Sequence, residues 1–321
     1  MSRKSAFTRS FQRGVCSAIT LLLLAPFLVS PLQAGTIVRF STTVGDFSVE
    51  LLDDLAPTTV ANFLNYVNRN AYNGTYMHRV VDGFVAQGGG YRFEPFVGPI
   101  DVPADPPIAN EFNRANTRGT LAMAKLPDDP NSATSQWFVN LIDNTSLDTT
   151  NGGFTVFGEV LGEGMEVLDR MDELPVVDLG AKAPSAPFYT PTFDRDPRNF
   201  VYVNVETVDR FSSAPHVFEV ASGLLITSVN VNDGEELVSV NLNTVPGATD
   251  IVLQANMESV IPRRDPFTGI ATFSSTDNKL RIPTLEVHDN GVVTLLNDVV
   301  FGLTSNEPVQ FTLESYQEQA P

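Results

Sequence analysis

Short alternations of apolar and polar residues dominate the first two thirds of the chain and predict a mainly β structure. Thr36–Ser41 and Asp46–Leu52 alternate in this way, and a turn around Gly45 joins them as a hairpin. Further strands are predicted at Thr75–Val80, Phe84–Gln87, Gly119–Ala124, Gln136–Asn140, Phe154–Val160 and Phe200–Thr207. Many short strands with few helices favour a closed barrel over an alternating α/β sheet.

Two segments follow the helical period instead. After Pro57, apolar residues at three- and four-residue spacing predict a helix over Val60–Val67, and Thr58 is placed to cap it. A second helix is predicted at Met165–Met171. The stretch 176–199 is rich in proline and lacks periodicity, which indicates an irregular connection.

The pattern changes again after residue 210. Alternating segments there predict a small antiparallel β domain, at Leu224–Asn230, Glu236–Leu242, Ile251–Met257, Lys279–Val287 and Gln310–Ser315. Turns are predicted at Asn232-Asp233-Gly234, Pro246-Gly247 and Asp289-Asn290-Gly291. The chain is therefore divided into 1–34, 35–210 and 211–321, and no motif in the last part indicates what it does.

The N-terminal segment 1–34 has the order of a secretory signal peptide. Its basic residues are followed by the apolar run 18–29 and by the small residues Ala34 and Gly35. The apolar run is too short for a comfortable transmembrane helix, which favours cleavage over anchoring. We therefore expect a periplasmic or secreted protein with no stable membrane insertion after cleavage, and a retained N-terminal anchor is the alternative.

Composition excludes several classes of protein. The only cysteine, Cys16, lies in the predicted signal, so the mature chain would have neither disulfides nor thiolate metal sites. Signal removal would shift the formal charge from −18 to about −22, which disfavours nucleic-acid binding. The three histidines, His78, His216 and His288, show no metal-ligand spacing, so neither a metal nor a cofactor is expected.

Three blocks of sequence carry the candidate chemistry. In the first, Arg79 lies on one predicted strand, and Phe84, Val85 and Gln87 lie on the next. The two strands could pair across a short turn at Asp82-Gly83, and these residues would then share one face. In the second, Gln136 and Phe138 are two residues apart on one strand and point the same way, whereas Trp137 points the other way. The blocks are 76–89, 122–140 and 146–158.

Together these blocks resemble the signature segments of cyclophilins, most closely those of the periplasmic bacterial branch, over about 36–207. The resemblance implies an eight-stranded β-barrel capped by two helices, with an extra C-terminal β domain in this chain. It implies peptidyl-prolyl cis-trans isomerase (rotamase) activity, with the catalytic residues Arg79, Phe84 and Gln87. The substrate-binding residues that it implies are Val85, Ala124, Lys125, Gln136, Phe138, Leu147 and Phe154.

This sequence departs from the family pattern at four positions. Many cyclophilins have methionine at the position of Val85, asparagine at Lys125, tryptophan at Ser146 and histidine at Phe154. The missing tryptophan implies weak binding of cyclosporin. Val85 and Phe154 alter the apolar pocket, so substrate preference is expected to shift while the chemistry of the arginine persists.

The expected partners are proline-containing unfolded or extended polypeptides, and the expected role is a foldase or chaperone for exported proteins. Rotation about a prolyl bond needs no covalent intermediate, only stabilisation of the twisted amide. Two alternatives remain open: a non-catalytic peptide-binding module with a cyclophilin-like shape, and a surface-interaction protein that acts chiefly through residues 211–321.

Overall fold

Over the residues that it describes, the computed structural model of the protein contains twenty-one strands and two α-helices. It describes residues 35–190, 196–231, 234, 236–265 and 268–318, so the predicted signal at 1–34 lies outside the described residues. Gly35–Pro321 forms one compact unit that contains two sheets, each with its own apolar core. None of the described helices is both long enough and apolar enough to span a membrane.

The first sheet and its two helices occupy the region before residue 210. Its strands are β1 (Ile37–Thr42), β2 (Gly45–Leu51), β3 (Thr75–Tyr76), β4 (Arg79–Val81), β5 (Val85–Gly88), β6 (Tyr91–Glu94), β7 (Gly98–Asp101), β8 (Thr120–Met123), β9 (Trp137–Asn140), β10 (Val156–Val160) and β13 (Tyr202–Val208). The helices are α1 (Pro57–Asn68) and α2 (Gly164–Asp172). The stretch predicted as irregular contains a ribbon of β11 (Val176–Val177) and β12 (Ala186–Pro187).

Hydrogen bonds close this sheet into a barrel. The strand order is β4-β5-β9-β8-β10-β2-β1-β13-β3-β6-β7, and β3 and β4 are separated along the chain only by Met77 and His78. The Met77 amide donates to Val201 on one side, and the His78 amide donates to Gln87 on the other. Counted as one strand, β3 and β4 complete a ring of eight, which confirms the predicted barrel. The β6–β7 hairpin extends from β3 outside the ring.

Both helices pack their apolar residues into the core inside the barrel. Phe63 of α1 and Leu168 of α2 are fully buried there with Phe40 and Trp137 from the strands. The ring of Phe40 lies 4.6 Å from Phe47 in a stacked arrangement and 5.0 Å from Trp137 edge-on, between centroids. The prediction of two helices that cap a β-barrel is therefore confirmed.

The predicted cap of α1 was wrong. Pro57 occupies the first turn, so the helix begins earlier than predicted, and Ala56 is its N-cap without a side-chain bond. The amides of Thr58 and Thr59 instead donate to the carboxylate of Glu111, at 3.1 and 2.8 Å. A carboxylate from a distant loop thus takes the place of the local hydroxyl.

The second sheet has eight strands. These are β14 (Val217–Glu219), β15 (Leu224–Val231), β16 (Glu236–Thr244), β17 (Val252–Pro262), β18 (Ala271–Ser274), β19 (Lys279–Asp289), β20 (Val292–Asn306) and β21 (Val309–Glu318). They follow the order β14-β15-β16-β17-β21-β20-β19-β18, and parallel pairings of β14 with β19 and of β15 with β18 curl the sheet onto itself. The region is thus mainly antiparallel, as predicted, but not wholly so.

The longest strand of this sheet, β20, is absent from the predicted segments. Asp298 has a positive φ of 50°, and the pairing register with β21 shifts between Asn297 and Val300. This bulge interrupts the alternation on which the prediction depended. The turn at Asn290-Gly291 has positive φ at both residues, as a tight hairpin requires, whereas the turn predicted at 232–234 lies mostly outside the described residues.

The second sheet docks on the outer face of β1 and β13 through buried polar groups. Asp46, at the β1–β2 turn, accepts from Arg39 of the barrel and from Arg263 of the second sheet, both at 2.5 Å. Arg263 also pairs with Asp265 at 2.6 Å. Burial would raise the pKa of Asp46, but the charges of Arg263 and Arg39 outweigh it and hold that pKa below its usual value.

A second buried polar group at the same interface surrounds Glu206. Its carboxylate accepts from Asn73 at 2.9 Å and from Asn241, across the interface, at 2.6 Å. Burial raises the pKa of Glu206 to about 7, although the two amide bonds oppose the shift. The side-chain oxygens of Asn73 and Asn241 have no hydrogen-bond partner. A proton on Glu206 would supply a donor for one of them.

Candidate active site

The pairing register brings the predicted polar residues onto one outer face of the barrel, formed by β4, β5, β9 and β8. Arg79 of β4 lies directly across from Gln87 of β5, and Gln87 lies across from Phe138 of β9. Phe138 in turn pairs with Ala122 of β8. Residues directly opposite in a ladder point to the same side of the sheet. Trp137 belongs to the core inside the barrel, as its predicted inward orientation requires.

An apolar cluster lies beside Arg79 and Gln87, which we call the polar row together with Gln136, and it is separate from the barrel core. Val85 and Phe138 are buried in it. The ring of Phe154 meets that of Phe138 edge-on, with 5.7 Å between centroids. The members of this cluster, which we call the groove pocket, are Val85, Ala122, Phe138 and Val156, with Leu52, Phe84, Ala124, Leu147 and Phe154 around them. It offers an apolar surface beside a cation.

Arg79 supplies that cation. Its Nη1 atom donates to Oε1 of Gln87 at 3.3 Å, and its guanidinium carbon lies 5.9 Å from the centre of the Phe84 ring. Partial burial lowers the pKa of Arg79, yet an arginine stays charged at physiological pH. Among the described residues, no carboxylate forms an ion pair with it. The remaining donors of its guanidinium are therefore available to a bound molecule.

Two glutamines fix the direction in which Arg79 is held. Gln87 accepts from Arg79 and donates through Nε2 to Oε1 of Gln136 at 2.8 Å. This order of donors and acceptors determines which way each amide faces. Gly90 packs directly against Gln136, because an added Cβ would come within 2.8 Å of its side-chain amide. A larger residue at Gly90 would displace the glutamine pair.

His78, the residue before Arg79, lies behind the polar row rather than in the pocket. Burial lowers its pKa to about 4, although a bond with Gln136 opposes the shift, so the imidazole is neutral at physiological pH. Its ring packs edge-on against Tyr91, with 4.8 Å between centroids. His78 is therefore a packed neighbour of the site and does not carry a second positive charge beside Arg79.

Lys125 lies at one rim of the groove pocket and holds its wall in place. Its Nζ atom donates to the backbone oxygens of Asn151 and Gly153, at 2.8 and 2.7 Å, and lies 4.7 Å from the centre of the Phe154 ring. Burial lowers its pKa, an effect that Asp129 opposes. The backbone of Ala124 is anchored as well, because its amide donates to the Gln136 carbonyl at 2.9 Å.

The loop that carries Leu147 and Phe154 is fixed by residues that the sequence analysis did not select. Asn116 donates from its backbone and its side chain to Asp148, at 2.8 and 3.0 Å, and from its side chain to the Phe154 carbonyl at 3.1 Å. The Phe154 amide donates to the Leu147 carbonyl at 3.1 Å, so the two pocket residues are tied together. Asn116 is far from this loop in sequence, and no local pattern could have indicated the contact.

All ten residues proposed from the sequence thus lie on or around one patch of the barrel. Arg79, Gln87 and Gln136 form its polar side, Lys125 one rim, and the others the groove pocket. Across the described ranges, no group of three or more histidine, cysteine or carboxylate side chains is arranged to hold a metal ion. The patch can hold a small apolar ring beside a fixed guanidinium.

Comparisons with known proteins agree with this geometry. The family model described as "Cyclophilin type peptidyl-prolyl cis-trans isomerase/CLD" matches residues 37–189 and ends before the second sheet begins. The chain is similar to peptidyl-prolyl cis-trans isomerase A of Dickeya dadantii, with 38% identity over 185 residues, which is 55% of this chain and 93% of that protein. It is 45% identical to peptidyl-prolyl cis-trans isomerase B of Escherichia coli over 141 residues, covering 42% of this chain and 82% of the relative.

The comparison with solved structures matches a cyclophilin-type peptidyl-prolyl cis-trans isomerase of Cryptosporidium parvum. It has 22% sequence identity and a TM-score of 0.41, and the match covers 55% of this chain and 99% of that chain. The same protein has also been solved in the presence of the dipeptide Ala-Pro, with a match of the same score over 54% of this chain.

Proposed function

This chain belongs to the cyclophilin-type peptidyl-prolyl cis-trans isomerase family, and on that premise we propose that Arg79 is the residue that accelerates prolyl isomerisation during the folding of exported polypeptides. The enzyme activity follows from the family. The role of Arg79 and the cellular setting are the proposal. The observation that supports it most directly is the fixed, unpaired guanidinium beside the groove pocket.

The chemistry needs only non-covalent stabilisation. Rotation about the prolyl bond must break amide conjugation, which sets a barrier of ~18–20 kcal/mol. As the bond twists, the prolyl nitrogen becomes pyramidal and recovers a lone pair. A guanidinium N–H donates to that lone pair more strongly in the twisted state than in either planar isomer. An acceleration of about 10⁵-fold corresponds to ~7 kcal/mol, which this bond can supply together with orientation in a dry pocket.

The rest of the patch prepares this interaction. Phe138, Leu147 and Phe154 would hold the pyrrolidine ring by apolar contact, with Val85 as the floor and Phe84 as a further wall. Gln87 and Gln136 would keep Arg79 in one orientation before substrate arrives, which avoids reorganisation during the reaction. The backbone around Ala124 and Lys125 would bind the substrate peptide beside its proline.

The decisive experiment is a proline isomerisation assay on a short peptide with residues 35–321 and its Arg79→Ala variant. We expect the wild-type chain to accelerate the reaction and the variant to lose about 10²–10³-fold in kcat/KM, as when a transition-state donor is removed. Arg210→Ala is the matched control, since Arg210 bonds only the Gly291 carbonyl in the second sheet.

Circular dichroism would show that each variant is folded. A folded Arg79→Ala chain with full activity would contradict the proposed role of the arginine. A folded wild-type chain with no activity at all would favour the alternative of a non-catalytic peptide-binding module.

We also propose that the protein acts outside the cytoplasm. The basic, apolar and small-residue order of 1–34 and the absence of cysteine after Cys16 support export. Fractionation of cells that express the full chain, followed by N-terminal sequencing, tests this. Recovery from the periplasm or medium of a chain that begins near Gly35 is expected, and a cytoplasmic chain with an intact N-terminus would contradict it.

Weak binding of cyclosporin is part of the same proposal. Ser146 is an exposed residue of the loop that carries Leu147, at the position where many relatives have tryptophan. A hydroxymethyl group buries far less apolar surface than an indole ring. Inhibition of the peptide assay by cyclosporin should therefore improve in Ser146→Trp, and equal inhibition of both chains would contradict this account.

A further inference from the structure

The tip of the β6–β7 hairpin exposes apolar side chains outside the groove pocket. The turn Pro95-Phe96-Val97 joins the two strands, and the Val97 amide donates to the Glu94 carbonyl at 3.1 Å. Phe96 is fully exposed and Val97 is 67% exposed. They are the two most exposed large apolar side chains in the described part of the sequence, and they are neighbours. Solvent exposure of this kind, concentrated in one place, is typical of interaction sites.

The backbone of the tip is also held in an uncommon conformation. Phe96 has a φ of 67°, in the left-handed region that aromatic residues rarely adopt. Asparagine or glycine would fit this turn with less strain. A phenylalanine at this position therefore costs stability through its backbone and gains none from burial of its ring. Strain retained at one residue is more often associated with function than with packing.

Phe96 and Val97 belong to a wider concave surface, which we call the hairpin-tip surface. It encloses about 400 Å³. Its main residues are Phe93, Phe96, Val97, Pro99, Leu179 and Pro197. Its floor is firm, because the Phe93 ring packs 4.6 Å from the ring of buried Phe200, between centroids. Residues 95–100 carry no charge, so the surface suits an apolar rather than an ionic group.

A short segment of chain connects this surface to the catalytic patch. Gln87 of the patch is followed by Gly88–Gly90, and Tyr91 then starts the hairpin. On the other side, the Val80 amide next to Arg79 donates to the Ser185 carbonyl, and Leu179 packs in the same cluster as Phe93. Phe96 is nine positions after Gln87, so the two sites are at most ~30 Å apart, a distance that an extended polypeptide of similar length spans.

We propose that the hairpin-tip surface is a second docking site for the unfolded polypeptide whose proline occupies the groove pocket. The occupant is an extended client segment with an aromatic or large aliphatic side chain several residues from the proline. The short connection to the catalytic patch and the uncharged, apolar lining favour this occupant over a folded acidic or basic partner. The proposal depends on the isomerase function proposed above, because the groove pocket holds the other end of the client.

The experiment compares two substrates of different length on the same enzyme. Isomerisation of a proline tetrapeptide is measured alone and in competition with reduced, carboxymethylated α-lactalbumin, a permanently unfolded chain. The variant is Phe96→Asn with Val97→Thr, in which asparagine suits the left-handed turn and should preserve folding. Met257→Asn with Val292→Thr is the matched control, since these side chains are 62% and 63% exposed on the second sheet.

We expect the tip variant to keep the tetrapeptide kcat/KM of the wild-type chain and to bind the unfolded competitor about fivefold more weakly, the loss of a modest apolar contact. The control variant should match the wild-type chain in both measurements. Unchanged competition in the tip variant would overturn the docking site while leaving the isomerase intact. Equal losses with tetrapeptide and competitor would also overturn it, because the tip would then act through the groove pocket. A wild-type chain inactive on the tetrapeptide would instead contradict the proposed function.

Discussion

The outer face of β4, β5 and β9 and the outer face of β1 and β13 belong to the same barrel. They differ in whether their arginines form ion pairs with carboxylates. On the first, Arg79 faces an open apolar patch, and among the described residues its side-chain hydrogen-bond partner is an uncharged glutamine. On the second, Arg39 and Arg263 are buried with Asp46 and Asp265 at the contact with the second sheet. The proposed role of Arg79 requires donors that remain available to substrate, whereas a cation buried for assembly needs a counterion.

The comparison also explains how a chain of this length keeps its active site accessible. The second sheet contacts the barrel through Asp46, Glu206 and Asn204, none of which belongs to the groove pocket or bonds Arg79. Substitutions at the interface should therefore change stability without changing catalysis, and substitutions in the groove should do the reverse. The predictions below test that separation.

The largest expected effect is on stability. Asp46→Ala removes the ion-pair partner of Arg39 and one of the carboxylates that pair with Arg263, and breaking a buried pair typically costs about 3–5 kcal/mol. Urea unfolding should show this loss, whereas kcat/KM on a tetrapeptide should stay within about twofold of wild type under native conditions. In the matched control Asp277→Ala, an exposed pair with Arg281 is lost and the unfolding midpoint should not move. An equally stable Asp46→Ala chain would contradict the role given to the buried network.

The next effect depends on pH. Glu206 has a pKa of about 7 in the folded chain, above its ordinary value of 4.5, so the folded state binds its proton more tightly than the unfolded state. Below pH 4.5, the protonated Glu206 contributes at most about 3 kcal/mol to the free energy of unfolding. This contribution is lost as the pH rises through about 7.

Glu206→Gln keeps an acceptor for Asn73 and Asn241 and adds a donor for their unpaired oxygens. The variant should lose this part of the pH dependence and gain stability above pH 7, as measured by denaturation at several pH values. A variant that follows the wild-type pH profile would show that Glu206 is not the titrating group.

The smallest effect is in the groove. Lys125→Met removes two bonds to the loop that carries Leu147 and Phe154, so the pocket wall should loosen and KM should rise about threefold with kcat nearly unchanged. Lys125→Arg should restore most of the loss. Lys279→Met, which breaks an exposed pair with Glu314, is the matched control and should leave KM unchanged. A fall in kcat with constant KM would contradict a role in holding the wall.

The two faces also differ in how far the sequence predicts them. The turn Asp82-Gly83 lies between Arg79 and Gln87, so their pairing follows from short-range patterns and was confirmed. The Asp46–Arg263 pair joins residues 217 positions apart, and no local pattern marks it. The wrong prediction of the cap of α1 and the failure to predict β20 have related causes. Glu111 replaces the predicted cap of α1 from a distant loop, and the bulge at Asp298 hides the alternation of β20.

The ring of strands in the barrel has a consequence for how this chain folds. Ile37, the first residue of β1, pairs with Val208, the last residue of β13, so the ring cannot close until almost two thirds of the chain has been made. Contacts between such distant segments form slowly because a long loop must first be closed. During vectorial synthesis, the early strands therefore have an unpaired edge until β13 is made. The enzyme would itself pass through an incomplete, extended state of the kind that we propose its groove binds.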